Sequence, residues 1–148
     1  MFPYTAGEFV RESFKPLPEG NYVVKIFTAK QIKNKIGSAD GIGITFTVTD
    51  GEYIGRLIFD TFYIVHINKV FEKKERNRFN GLLNAIGKEV IYSATEIENS
   101  HLTIRVKINP ASSDGNFPEK NIVRDYFNAG HQLSGEYAQQ ERNNDIPF

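Results

Sequence analysis

Alternation of apolar and polar residues is the strongest signal in this chain. Ile42 to Thr49 shows it best. Ile42, Ile44, Phe46 and Val48 fall on one side of an extended backbone, and Gly43, Thr45, Thr47 and Thr49 on the other. Such a strand has one face in a core and one in water. Tyr22 to Lys30 reads as an earlier strand, with Tyr22, Val24, Ile26 and Thr28 on one face and Val23, Lys25, Phe27 and Ala29 on the other. The stretch Gln31–Gly41 between them reads as a loop, with Gly37 and Gly41 as breakers. Asp50-Gly51 signals a hairpin turn, and a third strand is expected from about Tyr53 to Val65, with Gly55 as a bulge.

The period then changes. Val70, Phe71, Phe79, Leu82, Leu83 and Ile86 share one helical stripe within residues 66–87, and Gly87 suits a C-terminal stop. Glu89–Tyr92 reads as a short strand. Leu102–Ile108 is a clear one, with Leu102, Ile104, Val106 and Ile108 inward and Thr103, Arg105 and Lys107 outward. Asn109–Glu119, which contains Pro110, Gly115 and Pro118, is a hairpin loop before a last strand, Asn121–Asn128. Before all of these, Lys15-Pro16-Leu17-Pro18-Glu19 reads as an extended lead-in. Three strands, a helix and two strands are the order of a five-stranded OB-fold barrel with its helix between the third and fourth strands; a small sandwich with one helix has the same order. Residues 1–130 are expected to form this domain, and residues 131–148 a disordered tail without apolar periodicity.

Composition narrows the function. There is no cysteine, hence no disulfide framework and no thiolate metal site. The three histidines, His66, His101 and His131, stand far apart and outside metal-ligand spacing. No phosphate-cradling glycine loop or nucleophile elbow is present. Catalysis and cofactors are therefore not expected. Neither a signal peptide nor an apolar run of membrane-spanning length is present, which reads as a soluble, cytoplasmic protein. Net charge is zero, but the tail carries Glu136, Glu141 and Asp145 against Arg142, which leaves 17 basic and 15 acidic residues before it. A binding face for an anionic polymer must come from segregated charge. Aromatics reach 13% without any tryptophan, enough for some rings to serve outside a core.

Single-strand binding without sequence preference needs a basic groove for phosphates and rings for bases. Alternation offers Lys25 and Phe27 on the first strand, Arg105 and Lys107 on the fourth, and Arg124 with Tyr126 on one face of the last. Lys33 and Lys35 lie in the loop after the first strand, and Arg56 and Tyr63 are candidates on the third. Phe46, Phe59, Phe71 and Phe79 are expected in the core.

The chain closes on Asp145-Ile146-Pro147-Phe148, an acidic group, a ring and a terminal carboxylate within one short reach, fit for a pocket with an apolar hole and a basic rim. This ending resembles the tail of bacterial single-stranded DNA-binding proteins, although Asn143 and Asn144 stand where that family usually has Asp. Residues 15–130 also resemble a family of phage-encoded single-stranded DNA-binding proteins. That likeness rests on Pro16-Leu17-Pro18-Glu19-Gly20-Asn21-Tyr22, Gly55-Arg56, Phe59-Asp60, and Asn121 with Arg124 and Tyr126. The resemblances imply coating of single-stranded DNA in phage replication or recombination, in the host cytoplasm. The tail would recruit replication, recombination or repair proteins. A phage adaptor or structural β-protein acting through protein contacts is the rival reading, and a homo-oligomer is compatible with either.

Overall fold

The structure, a computed structural model, describes residues 1–9, 15–33, 39–115 and 118–130. Five strands and one helix follow in the order β1 (Gly20–Lys33), β2 (Ala39–Val48), β3 (Leu57–His66), α1 (Lys69–Ile86), β4 (His101–Asn109) and β5 (Lys120–Asn128). All strand pairs are antiparallel and form one sheet in the order β3-β2-β1-β4-β5. The expected chain of elements is present, with four corrections.

The first two strands reach further into their connection than the glycines suggested. Gly41 is not a loop breaker but a residue of β2, where a Cβ would lie 2.6 Å from the Phe62 carbonyl oxygen. Glycine is needed there for close backbone approach. At the other end of β2, Tyr53 and Gly55 belong to a turn and not to β3. Gly55 has φ 89°, and its N–H donates to the Val48 carbonyl at 2.8 Å. Glu89–Tyr92 forms no strand; a turn of 3₁₀ helix, Ala94–Ile97, follows instead. Fourth, Phe59 and Phe71 are exposed.

The helix runs unbroken. Asn68 caps its start by accepting N–H bonds from Val70 and Phe71, both at 3.1 Å, and Gly87 ends it at φ 76°. Its buried side chains Phe79 and Leu82 join Val24, Ile26, Ile44, Phe46, Phe62, Leu102 and Ile104 in one core. Leu17, from the lead-in, is also fully buried. Its N–H donates to Asn121 Oδ1 at 2.8 Å and its carbonyl accepts from Asn121 Nδ2 at 2.9 Å, so the lead-in is bound to β5 much as a strand would be. Among the described residues, no helix is long and apolar enough to cross a membrane.

Four strand spacings would hold β3 and β5 about 19 Å apart in a flat sheet. Here the sheet curls until Phe62 on β3 and Tyr126 on β5 pack ring to ring, centroids 5.8 Å apart. No ladder joins these two edges among the described residues. A cleft of about 700 Å³ lies between them.

Candidate nucleic-acid interface

Two bulges decide which side chains leave the core. On β1, Ile26 pairs with Phe46 and Thr28 with Thr45, so Phe27 is an extra residue. Ile26 and Ala29 are both buried, which turns Phe27 and Thr28 together to the outside. Ala29 is thus inward and Thr28 outward, the reverse of strict alternation. On β5, Val106 faces Val123 and Arg105 faces Asp125, so Arg124 is the extra residue. The period slips by one, and Tyr126 falls on the core side while Arg124 stays exposed.

Tyr126 is therefore no stacking platform. Its hydroxyl donates to Asp60 Oδ2 and accepts from Arg78 Nη2 at 3.0 Å. Arg78 also donates to Asp60 at 2.8 and 3.0 Å and to Glu75 at 2.9 Å, and its guanidinium lies 4.6 Å from the Phe62 ring centre. This group ties β3, β5 and α1 together across the open edge. Burial pushes the Asp60 carboxyl up, and the Arg78 charge and the Tyr126 hydroxyl counter that only in part. Burial likewise pushes the Tyr126 phenol up, helped by Asp60. For Arg78 burial works against the charge, but Asp60 and Glu75 outweigh it and hold the guanidinium above its ordinary value.

The outer face of β1, β2 and β3 is different in kind. Thr45 on β2 pairs with Thr28 on one side and Phe59 on the other. Phe59 is 67% exposed and Phe27, beside Thr28, is 55% exposed. Two exposed rings thus stand on the strands that flank Thr45, Phe27 on β1 and Phe59 on β3. Gly43 and Thr47 continue that low floor along β2, with Lys30 opposite Gly43 and Lys25 opposite Thr47. The result is a shallow trough with rings and ammonium groups on its walls. Phe59 also lines the cleft, so trough and cleft are continuous.

At the cleft the cations are Lys15, Arg56, Lys120 and Arg124, with Arg78 at its floor committed to Asp60 and Glu75. Glu119 is the remaining carboxylate of its lining. Arg56 and Arg124, expected on separate strands, therefore meet at one site. Arg56 lies in the turn ahead of β3, and its Nη2 donates to the Lys15 carbonyl at 2.6 Å, which holds the lead-in across the cleft mouth.

The other candidates are dispersed. Lys33 is exposed at the end of β1, and Lys35 lies outside the described residues. Tyr63 is half-buried on β3; its N–H donates to Glu75 at 3.1 Å and its ring packs near His66. Arg105 faces Asn21, four residues before Lys25, and so does not join the Phe27–Phe59 row. Lys107 lies further along β4, with its Nζ 3.8 Å from Glu19. Asp145, Ile146, Pro147 and Phe148 lie outside the described residues. Sequence reasoning missed Phe59, Lys30, Lys15 and Lys120. Phe59 had a signal available, since Leu57, Phe59, Thr61 and Tyr63 alternate with Ile58 and Phe62, but both faces are apolar enough to hide which is wet.

A family model described as Protein of unknown function (DUF669) matches residues 6–132, a span that covers the five strands and the helix. No curated protein matches the chain.

Proposed function

The chain belongs to the family which that model defines, and on this premise we propose that it is a non-specific single-stranded DNA-binding protein. The five strands act as a partly open OB-fold barrel, capped by α1. Curling of a β3-β2-β1-β4-β5 sheet until its edges meet supports that assignment. The observation that carries the functional reading is the trough: Phe27 and Phe59 exposed on either side of Thr45, with Lys25 and Lys30 on the same face. Unpaired bases stack on such rings whatever their identity, while the ammonium groups take the phosphates. In an OB-fold, the face of the second and third strands is where oligonucleotides lie. The cations of the cleft extend the path past Phe59. The work of such a protein is in phage replication, recombination or repair, with the Asp145–Phe148 terminus recruiting the enzymes involved.

The test is a pair of titrations at two salt concentrations, with single-stranded and duplex DNA of one sequence. Single strands should bind more tightly, with affinity falling by about 0.7 log units per log unit of salt for each phosphate neutralised. Equal affinity for duplex, or no salt dependence, overturns the reading and favours an adaptor that works through protein contacts.

A further inference from the structure

Arg78 reaches the floor of the cleft already paired. Its Nη2 donates to both oxygens of Asp60, at 2.8 and 3.0 Å, and its Nη1 to Glu75 at 2.9 Å. The two members of the Asp60 pair differ in access. The Arg78 side chain is 32% exposed and that of Asp60 only 10%. An anion that enters the cleft meets the guanidinium first and competes with Asp60 for it. The surroundings favour entry, since Lys15, Arg56, Lys120 and Arg124 line the cleft with Glu119 as the opposing charge. The groups directly around the pair are Glu75 from α1, Tyr126 from β5 and the Thr61 N–H from β3.

A buried carboxylate stripped of its cation is costly, and such a group takes up a proton instead. Burial already pushes the Asp60 carboxyl above its ordinary 3.8, and the Arg78 charge is the largest influence against that rise. A phosphate that draws Arg78 away weakens this influence and adds negative charge, so both changes push the carboxyl further up. The seam between β3 and β5 can survive the change. The Tyr126 hydroxyl donates to Asp60 Oδ2, and a hydroxyl accepts as readily from a protonated carboxyl.

We propose that Asp60 is a proton-linked counter-ion at the cleft floor: it holds Arg78 Nη2 until an anionic strand enters, then takes one proton from solvent and yields that corner of the guanidinium to a phosphate oxygen. Nη1 stays on Glu75, so Arg78 keeps its place beside Phe62. Strand affinity then depends on pH. The carboxyl titrates higher in the bound state than in the free state. Binding is therefore tightest below the free-state value, weakens between the two by at most about tenfold per pH unit, and levels off above the bound-state value. Only the identity of the anion rests on the strand-binding reading.

Oligothymidylate is the probe, because thymine carries no group that protonates in acid. The Asp60 carboxyl carbon of the full chain is followed by NMR through an acid-to-neutral titration, with and without the probe. Its midpoint should rise on binding; a midpoint that stays or falls overturns the proposal. Affinities measured over the same range at fixed ionic strength should fall with pH for the wild type. Asp60→Asn, checked for folding by thermal melting, should bind at neutral pH as tightly as the wild type does in acid. An undiminished slope in that variant, or a slope lost only in Glu75→Gln, also overturns it. Dextran sulfate, a polyanion without bases, separates the two readings. A midpoint raised by dextran sulfate, with no binding of oligothymidylate, keeps the exchange and retires the DNA reading. Strand binding with an unmoved midpoint does the reverse, and binding of neither polymer overturns both.

Discussion

Phe59 and Phe46 show how far one residue type can diverge in role. Both lie on neighbouring strands, yet Phe46 is fully buried and Phe59 faces water. Phe46→Ala should cost about 3–5 kcal/mol of stability because it leaves a cavity. Phe59→Ala should leave the melting temperature almost unchanged and weaken single-strand binding by about 1–3 kcal/mol, the worth of one stacked base. Fluorescence titration beside thermal melts would separate the two. A Phe59→Ala protein that binds as before removes the ring from the site. Tyr22 supports a prediction of another kind. Burial, and then Tyr53 beside it, push its phenol up to about 12, and its hydroxyl donates to the Pro18 carbonyl at 2.5 Å. A group raised in the folded state favours folding below its unfolded pKa of 10.0, and that advantage is lost as pH climbs from there to about 12. Denaturant midpoints measured across this window should fall with pH, and Tyr22→Phe should flatten part of the fall.

At the scale of elements, the bulges and the lead-in matter most. One extra residue on β1 and one on β5 reverse the facing of everything beyond them, which is why Thr28 and Ala29 exchanged places and Tyr126 went inward. Strict alternation assumes a continuous ladder, and the bulged residues carry no local mark that would warn of the interruption. The lead-in shows a related limit. Its prolines were legible as extended chain, but Leu17 offered no period to identify it as core. Leu17→Ala should cost about 2–5 kcal/mol in urea unfolding. Truncation of residues 1–9, all exposed, should cost almost nothing. If Leu17→Ala is equally silent, the strap that Asn121 makes with the lead-in does not belong to the folded unit.

For the whole molecule, the deciding feature is that two sheet edges approach without pairing among the described residues. Their cleft gathers cations from the lead-in, the turn before β3 and β5, segments distant in sequence. A chain of zero net charge can present a basic path in this way. The tail carries the opposite sign. Deleting Asp145–Phe148 should leave strand affinity equal or somewhat higher, since an acidic segment no longer competes for the path, and should abolish capture of repair enzymes by pull-down. Loss of folding on deletion would show that the terminus belongs to the domain.

By itself the amino-acid order determined where the five strands fall, the place of the helix and its stop at Gly87, and most of the core, because those follow from periods of two and 3.6 and from a glycine stop; it also offered a strand at Glu89–Tyr92 that does not form. Only the folded chain decided the site. Which of two apolar faces of β3 is wet, where a ladder skips a residue, and which distant cations share a cleft all depend on how far the sheet curls. Curl is a property of the strands packed together on one core, and no single stretch of the chain encodes it.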